Sequence, residues 1–141
     1  MAAAEPAQRL TFPRRLRLQH ARQFDAIRKA RVQRHGGPLA VSGMPNGLPH
    51  GRLGLSVGAR VGGAVVRNRF KRLIREAFRL SQRELPRDAE GGYDLVVAVR
   101  PHGPLPLEEY RRLLVQLAGE VHGEWGRRVS KAANGKAANG K

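Results

Sequence analysis

The residues with the most chemistry in them stand in one stretch, Val66 to Arg79. At 100° per residue, Arg67, Asn68, Lys71, Arg72, Arg75 and Arg79 fall on one side of a helix, with Arg69 at the shoulder. Val66, Phe70, Leu73, Ile74 and Ala77 fall on the other side, with Phe78 at its edge. The chemistry on offer is anion binding. Arg67, Lys71, Arg75 and Arg79 stand four apart, so each neighbouring pair repels by roughly 0.2–0.5 kcal/mol in an isolated helix. Only Glu76 offsets this from within. A solvated helix face ordinarily mixes signs. One that accumulates repulsion gains most when a polyanion lies against it, and nucleic-acid backbone is the commonest polyanion in a cell. Asn68 sits among the cations with no structural partner in view, and Asn is a mediocre helix former; the position is read as a hydrogen-bonding one. Phe70 and Phe78 are read as core.

Composition points the same way. The formal net charge is +16 on 141 residues, and 22 of the 27 basic residues are Arg, whose planar fork of donors matches phosphate and stacks on bases. Between Asp25 and Glu76 there is no acidic residue, while eleven basic ones occur there. The absence of Cys excludes disulfides and Cys-ligated metal and fits a reducing cytosol. No apolar run approaches the roughly 20 residues of a membrane span, and Met1 to Pro6 lacks the basic start and apolar core of a secretion signal. A cytoplasmic protein is expected.

Other chemistries find little support. His20, His35, His50, His102 and His122 show no metal-binding or general-base spacing. Glu84, Asp88, Glu90 and Asp94 form the only acidic cluster, but Pro86 and Gly91-Gly92 interrupt it, so nothing fixes a two-metal site. No catalytic and no metal-ligating residue is therefore assigned. Gly58 and Gly63 have the spacing of a phosphate-binding loop, yet Ala64-Val65 stand where Lys and Ser or Thr are needed, so no nucleotide cofactor is expected. Gly62 or Gly63 then serves as a helix cap, and the free N–H groups there remain open to an RNA phosphate beside Arg60.

The elements that must position these residues follow from periodicity. Residues 1–10 read as a disordered lead-in, 11–123 as one nucleic-acid-binding domain, and 124–141 as a flexible basic tail in which Lys131-Ala-Ala-Asn-Gly repeats from Lys136. Phe12, Leu16 and Leu18 anchor an extended segment. A helix is expected from about His20 to Val32, ended by Gly36-Gly37-Pro38, with Ala21, Phe24 and Ile27 on one face. Leu39 to Ser42 reads as a strand, Met44 to Gly51 as a hairpin connection, and Arg52 to Val57 as a strand with Leu53, Leu55 and Val57 on one face. The central helix is expected to run to Leu85-Pro86. Tyr93 to Arg100, apolar on consecutive residues, reads as a strand covered on both faces. Leu107 to about His122 reads as a last helix, with Pro106 near its first turn and Glu108 and Glu109 at its positive end.

The stretch Val66 to Phe78 closely resembles the signature helix of the bacterial ribonuclease P protein subunit. Phe12-Pro13 with Arg15-Leu16 and Phe24, then Gly54-Leu55-Ser56-Val57, then Tyr93-Asp94-Leu95-Val96-Val97 with Arg100-Pro101, follow in that family's order and spacing, over roughly residues 10–122. The resemblance implies an α+β fold, a two-layer α/β sandwich in the order α-β-β-β-α-β-α with a left-handed β-α-β crossover (ribosomal protein S5 domain 2-like); a general rule would have predicted a right-handed one. It implies that an RNA subunit performs Mg2+-dependent removal of the 5′ leader from precursor tRNA, with Mg2+ held mainly by RNA and substrate. The partners it implies are that catalytic RNA and precursor tRNA, with no membrane. Arg67, Asn68, Arg69, Lys71, Arg72 and Arg75 match the RNA-binding positions. Phe24 matches an aromatic of the leader cleft, where a base can stack; Arg28, Arg17, Ser42 and Arg60 are grouped with it.

Two departures stand out. Arg28 replaces a second cleft aromatic one turn after Phe24, and Ser42 falls where the family often has another. Leader contact is thus expected to lean on Arg stacking and phosphate pairing, and to be more salt-sensitive. If about six basic side chains meet phosphates, log affinity falls with log salt at a slope of roughly −4 to −5. The competing readings are a structural RNA-binding protein of ribosome assembly, an amphipathic helix on anionic membranes, and a DNA binder. The apolar side of the central helix has no more bulk than a core uses, which argues against the membrane.

Overall fold

The computed structural model describes residues 12–87 and 91–139, with side chains as far as residue 133; the expected lead-in 1–10 lies outside them. Along the chain come α1 (Ala21–Ala30), β1 (Gln33–Gly36), β2 (Leu39–Pro45), β3 (Arg52–Val57), α2 (Ala64–Leu80), β4 (Tyr93–Val99) and α3 (Leu107–Asn139), with short 3-10 turns at Arg14–Leu16 and Ala59–Val61. The order is α-β-β-β-α-β-α, an α+β fold.

The strands form one sheet in the order β1-β2-β4-β3. β4 is central, antiparallel to β2 and parallel to β3, which suits a strand with little polar relief on either face. Pleating separates its sides. Leu95, Val97 and Val99 join Leu39, Val41, Leu53 and Val57 under α2 and α3, where Phe70, Ile74, Phe78, Tyr110, Leu114 and Leu117 complete the core. On the opposite side the register puts Ser42, Val96 and Gly54 in one row and Ala40, Ala98 and Ser56 in the next. Over these small residues lies α1, with Ile27 only 1 % exposed.

Several expected boundaries move. α1 stops at Ala30, where Arg31 takes a left-handed conformation (φ 57°). Gly36-Gly37-Pro38 does not end a helix: Gly37 and Pro38 form the two-residue turn between β1 and β2, whose pairing runs Gln33–Ser42 to Gly36–Leu39. β1 carries almost no apolar pattern because it is an edge strand. Nor is Met44–Gly51 a hairpin connection, since β4 lies between β2 and β3. This segment is fixed on β4 instead: Asn46 Nδ2 donates to Asp94 Oδ1 (2.9 Å), and Arg52 meets both Asp94 oxygens at 2.7 Å. Gly91 (φ 149°) lies so close to Leu48 that a Cβ would stand 2.2 Å from its carbonyl oxygen, which only glycine allows. α2 ends at Leu80, short of Leu85-Pro86, because buried Ser81 caps it and Glu84 N–H turns back to the Ser81 carbonyl.

The largest correction concerns the C-terminus. α3 does not end at His122 but continues to Asn139, and the first turns of the stretch read as a flexible tail from 124 are docked. Trp125 Nε1 donates to the Gly43 carbonyl (2.8 Å), Glu124 pairs with Arg34 (2.9 Å), and Arg128 Nη1 donates to the Ala30 carbonyl (2.7 Å).

Candidate nucleic-acid interface

α2 begins at Gly63 without any side-chain cap and carries no acid in its first turn, so its positive end is unneutralised. Phe70, Ile74, Ala77 and Phe78 are buried as the periodicity requires, and Leu73 packs at the margin. Val66 is an exception at 42 % exposed; it leans on Gly62 in the preceding loop rather than on the core. On the other face Asn68, Arg69 and Arg72 are exposed, while Arg67, Lys71 and Arg75 are half-buried along their stems.

Among the described residues, none of Arg67, Arg69, Lys71, Arg72 and Arg75 has a carboxylate partner. Glu76 is committed to Arg79, whose Nε donates to it at 3.0 Å; that bond holds the Glu76 carboxyl below its ordinary range. Burial and then the nearby charge of Arg17 lower the pKa of Arg75, evidence of like charges brought together. Arg67 Nε is buried without a hydrogen-bond partner. Such an orphan favours a side chain that exchanges its position for one on an external acceptor.

The second half of the site is a groove of about 220 Å³ between α1 and the sheet. Phe24, Ile27 and Arg28 form one wall, Ser42, Ser56, Val96 and Ala98 the floor, and Gln33 the end. α1 is set there by His20 and Gln19, whose backbone N–H groups both donate to Gln23 Oε1 (3.0 and 2.9 Å). The Phe24 ring lies on Gly54: a Cβ at that glycine would stand 2.6 Å from Phe24 Cε1. Arg28 pairs with Asp25 at 2.9 Å, both side chains largely exposed, a bond worth little in water and easily exchanged for phosphate. Gln33 Nε2 donates to Ser42 Oγ (3.1 Å), leaving the hydroxyl hydrogen for another acceptor.

Groove and helix are joined around edge strand β3. Phe24 also lines a second depression with Phe12, Arg17, Gly54, Lys71 and Arg75, and Phe12, Arg17 and Arg75 recur in a third with Asn68, Arg72 and Arg79. Arg17 is held at the turn by the bridge of its segment to β3, where Leu18 N–H donates to the Leu53 carbonyl (2.9 Å), and its guanidinium lies 5.0 Å over the Phe12 ring. The structure thus brings Phe24, Arg28 and Ser42 together and places Arg17 on the link to Lys71 and Arg75. Arg60 stands apart, exposed on the Ala59–Val61 turn, and lines none of these depressions. Gln33, Ser56, Val96 and Ala98 were not anticipated in the groove. A signal existed for Ser56 alone, on the polar side of the alternating β3; the others follow only from strand register.

A family model for ribonuclease P matches residues 12–121, a range that contains α2, the groove and the link between them. The chain belongs to the ribonuclease P protein family. Its relatives include the ribonuclease P protein component of Desulfovibrio desulfuricans, 35 % identical over 77 % of this chain and 82 % of the relative, and that of Desulfotalea psychrophila, 34 % identical over 79 % and 91 %. Among solved structures it is similar to the RNase P protein from Thermotoga maritima, with TM-score 0.63 and 30 % identity over 72 % of this chain and 94 % of that one. Within this family frame the described residues contain no group of three His, Asp or Glu side chains able to hold a metal ion, and no helix long and apolar enough to cross a membrane.

Proposed function

We propose that this ribonuclease P protein binds a catalytic RNA through Arg67, Asn68, Arg69, Lys71, Arg72 and Arg75, and holds the 5′ leader of precursor tRNA in the groove of Phe24, Arg28 and Ser42. Arg17 carries the strand around β3 between the two. Arg60, off this path, is assigned to a phosphate near the start of α2. The observation that carries the reading is a basic helix face on which, among the described residues, Arg67, Arg69, Lys71, Arg72 and Arg75 have no carboxylate partner and Glu76 is taken by Arg79, joined by a cation-lined depression to an aromatic-walled groove.

The RNA removes the leader in this reading. Mg2+ is assigned in this reading to the RNA and its substrate, as the family resemblance implies, and no protein group is given a part in hydrolysis. The protein lowers the repulsion between crowded phosphates, so that substrate binds at physiological salt, in the cytoplasm. One Phe24 face supplies base stacking, worth about 1–3 kcal/mol, while Arg28 and Arg17 supply charge. The test is reconstitution with a cognate catalytic RNA: leader release from precursor tRNA at low Mg2+ is expected only when the protein is present. Cleavage indifferent to the protein at every Mg2+ concentration would instead support the reading as a structural protein of ribosome assembly.

A further inference from the structure

The residues that line the groove run along α1 toward its C-terminus. α1 gives it a direction: Phe24 stands where it meets the path around β3, Arg28 lines it one turn later, and Gln33, just past the helix, ends it. Its far end therefore opens beside the C-terminus of α1. The free carbonyls of a helix C-terminus repel phosphate. Here Arg128 of α3 covers the last of them, with Nη1 2.7 Å from the Ala30 carbonyl oxygen, and Nη2 lies 3.5 Å from that of Arg31 just past the helix. The Arg128 guanidinium in turn lies 5.4 Å over the Trp125 ring, and Trp125 is bonded to β2 through Gly43. Around this junction Lys29, Arg31, Arg127 and Lys131 are exposed. Negative charge is scarce: Glu124 is shared by Arg34, Arg127 and Arg128, and Asp25 is taken by Arg28. Among the described residues Lys29, Arg31 and Lys131 have no carboxylate partner. All of this α3 segment lies beyond residue 121, where the family match ends.

We propose that the turns of α3 after Val121, docked on the end of α1, form an additional single-strand site that takes leader nucleotides upstream of those in the groove. The proposal rests on the reading that the groove holds the leader. A strand leaving the groove past Arg28 comes to the exposed Arg31 and Lys29 and then to Lys131 and Arg127 of α3, where Glu124 is already paired with Arg34, Arg127 and Arg128 and the Ala30 carbonyl is bonded to Arg128. Each single-strand phosphate contact contributes a salt slope of about −0.7, which at about 0.15 M salt, taken relative to about 1 M, is roughly fourfold in affinity.

The test uses the reconstituted ribonucleoprotein with the full chain and precursor tRNAs whose leaders have about 1, 8 and 16 nucleotides, the last at the upper end of single-strand site sizes. Arg31→Gln/Lys131→Gln is compared with the unaltered protein, and Lys29→Gln/Lys131→Gln serves as a second variant that leaves the left-handed residue untouched. Both variants are expected to lose roughly fifteenfold in affinity for the 16-nucleotide leader, with a salt slope shallower by about 1.4, and nothing for the 8-nucleotide leader. An equal loss at every leader length would mean contact with the catalytic RNA or the tRNA body and would overturn the proposal, as would no loss at all. The step from 1 to 8 nucleotides tests the groove itself: if the unaltered protein gains nothing there, the groove reading falls first.

Discussion

Gly54→Ala separates the role of the Phe24 ring from the stability of the fold. A Cβ at position 54 would stand 2.6 Å from Phe24 Cε1, 2.7 Å from Cζ and 3.0 Å from Leu18 Cδ1. Ordinary carbon contacts begin near 3.5 Å, so the ring edge must retreat by about 1 Å. The ring is half-buried at the groove wall and turns away by rotation at χ1, at roughly 0.5–1.5 kcal/mol for a displaced rotamer. Removing a glycine from a strand returns roughly 0.5–1 kcal/mol, so folding stability changes by less than about 1 kcal/mol. The stack does not recover in this way. A base resting on Phe24 loses its platform, about 1–3 kcal/mol or roughly 5- to 150-fold in affinity. The assay is equilibrium binding of precursor tRNA, with and without a leader, to the reconstituted complex, alongside urea denaturation of the protein. Gly54→Ala and Phe24→Ala should each weaken only leader-dependent binding, and the double variant should add nothing beyond Phe24→Ala. The reasoning is refuted if Phe24→Ala leaves leader-dependent affinity unchanged, or if Gly54→Ala lowers stability by several kcal/mol.

Replacing Arg67, Lys71 and Arg75 with Gln should make the salt slope for catalytic-RNA binding shallower by about 2–3 and leave the melting temperature nearly unchanged; full activity in the triple variant would sink the assignment of α2. Arg28→Ala should reduce both leader affinity and its salt slope, by about 0.7 for the slope, and an unchanged pair of values would remove Arg28 from the groove's chemistry. Asp94→Ala leaves Arg52 (side chain 22 % exposed) without its bidentate partner and should destabilise by about 2–4 kcal/mol in urea titration, below the full value for a wholly buried pair. In acid, Glu76 and Glu124 carry carboxyl pKa values lowered from an ordinary 4.5 by bonds to Arg79 and to Arg127 and Arg34. The unfolded chain therefore takes up protons more readily than the folded one; their contribution is complete above pH 4.5 and is lost as the pH falls through the lowered values. Glu124→Gln should flatten that acid limb, and an unaltered pH–stability curve would show that the Arg34 pairing contributes nothing.

Legibility tracked how local each cause is. α2, β4 and the alternation of β3 were readable because their own apolar residues decide which face is buried, as Phe70, Ile74 and Phe78 do. β1 was invisible: Gln33, Arg34, His35 and Gly36 show no pattern, and the strand exists because β2 offers it an edge. The split of β2 from β3 was equally hidden, since sequential strands usually neighbour each other and only the competition of β4 for the central place overrides that. The docked turns of α3 depended on Gly43, Arg34 and Ala30, all more than 80 residues away, while the local sequence looked like low-complexity tail. Phe24 and Ser42 entered the site through family resemblance; nothing in their own segments says that they share a groove.

The split sheet is also what makes a groove possible. Because β4 lies between β2 and β3, the outer face presents Ser42, Val96 and Gly54 across three strands, then Ala40, Ala98 and Ser56. α1 over such a row leaves space that larger side chains would fill. Filling it with Leu or Ile would add about 25 cal/mol for every Å² of apolar surface removed from water, so a face this sparsely filled forgoes stability for access. The same strand order puts β3 at the edge beside α2, which is why the path from the Phe24 groove to the basic helix needs to turn only one strand and meets Arg17, Lys71 and Arg75 as it turns. Had β2 and β3 paired as a hairpin, Ser42 and Gly54 would be adjacent without Val96 between them, and the groove would narrow by one strand spacing, about 4.8 Å. The topology, more than any single residue, sets the width of the channel and the side on which its charge stands.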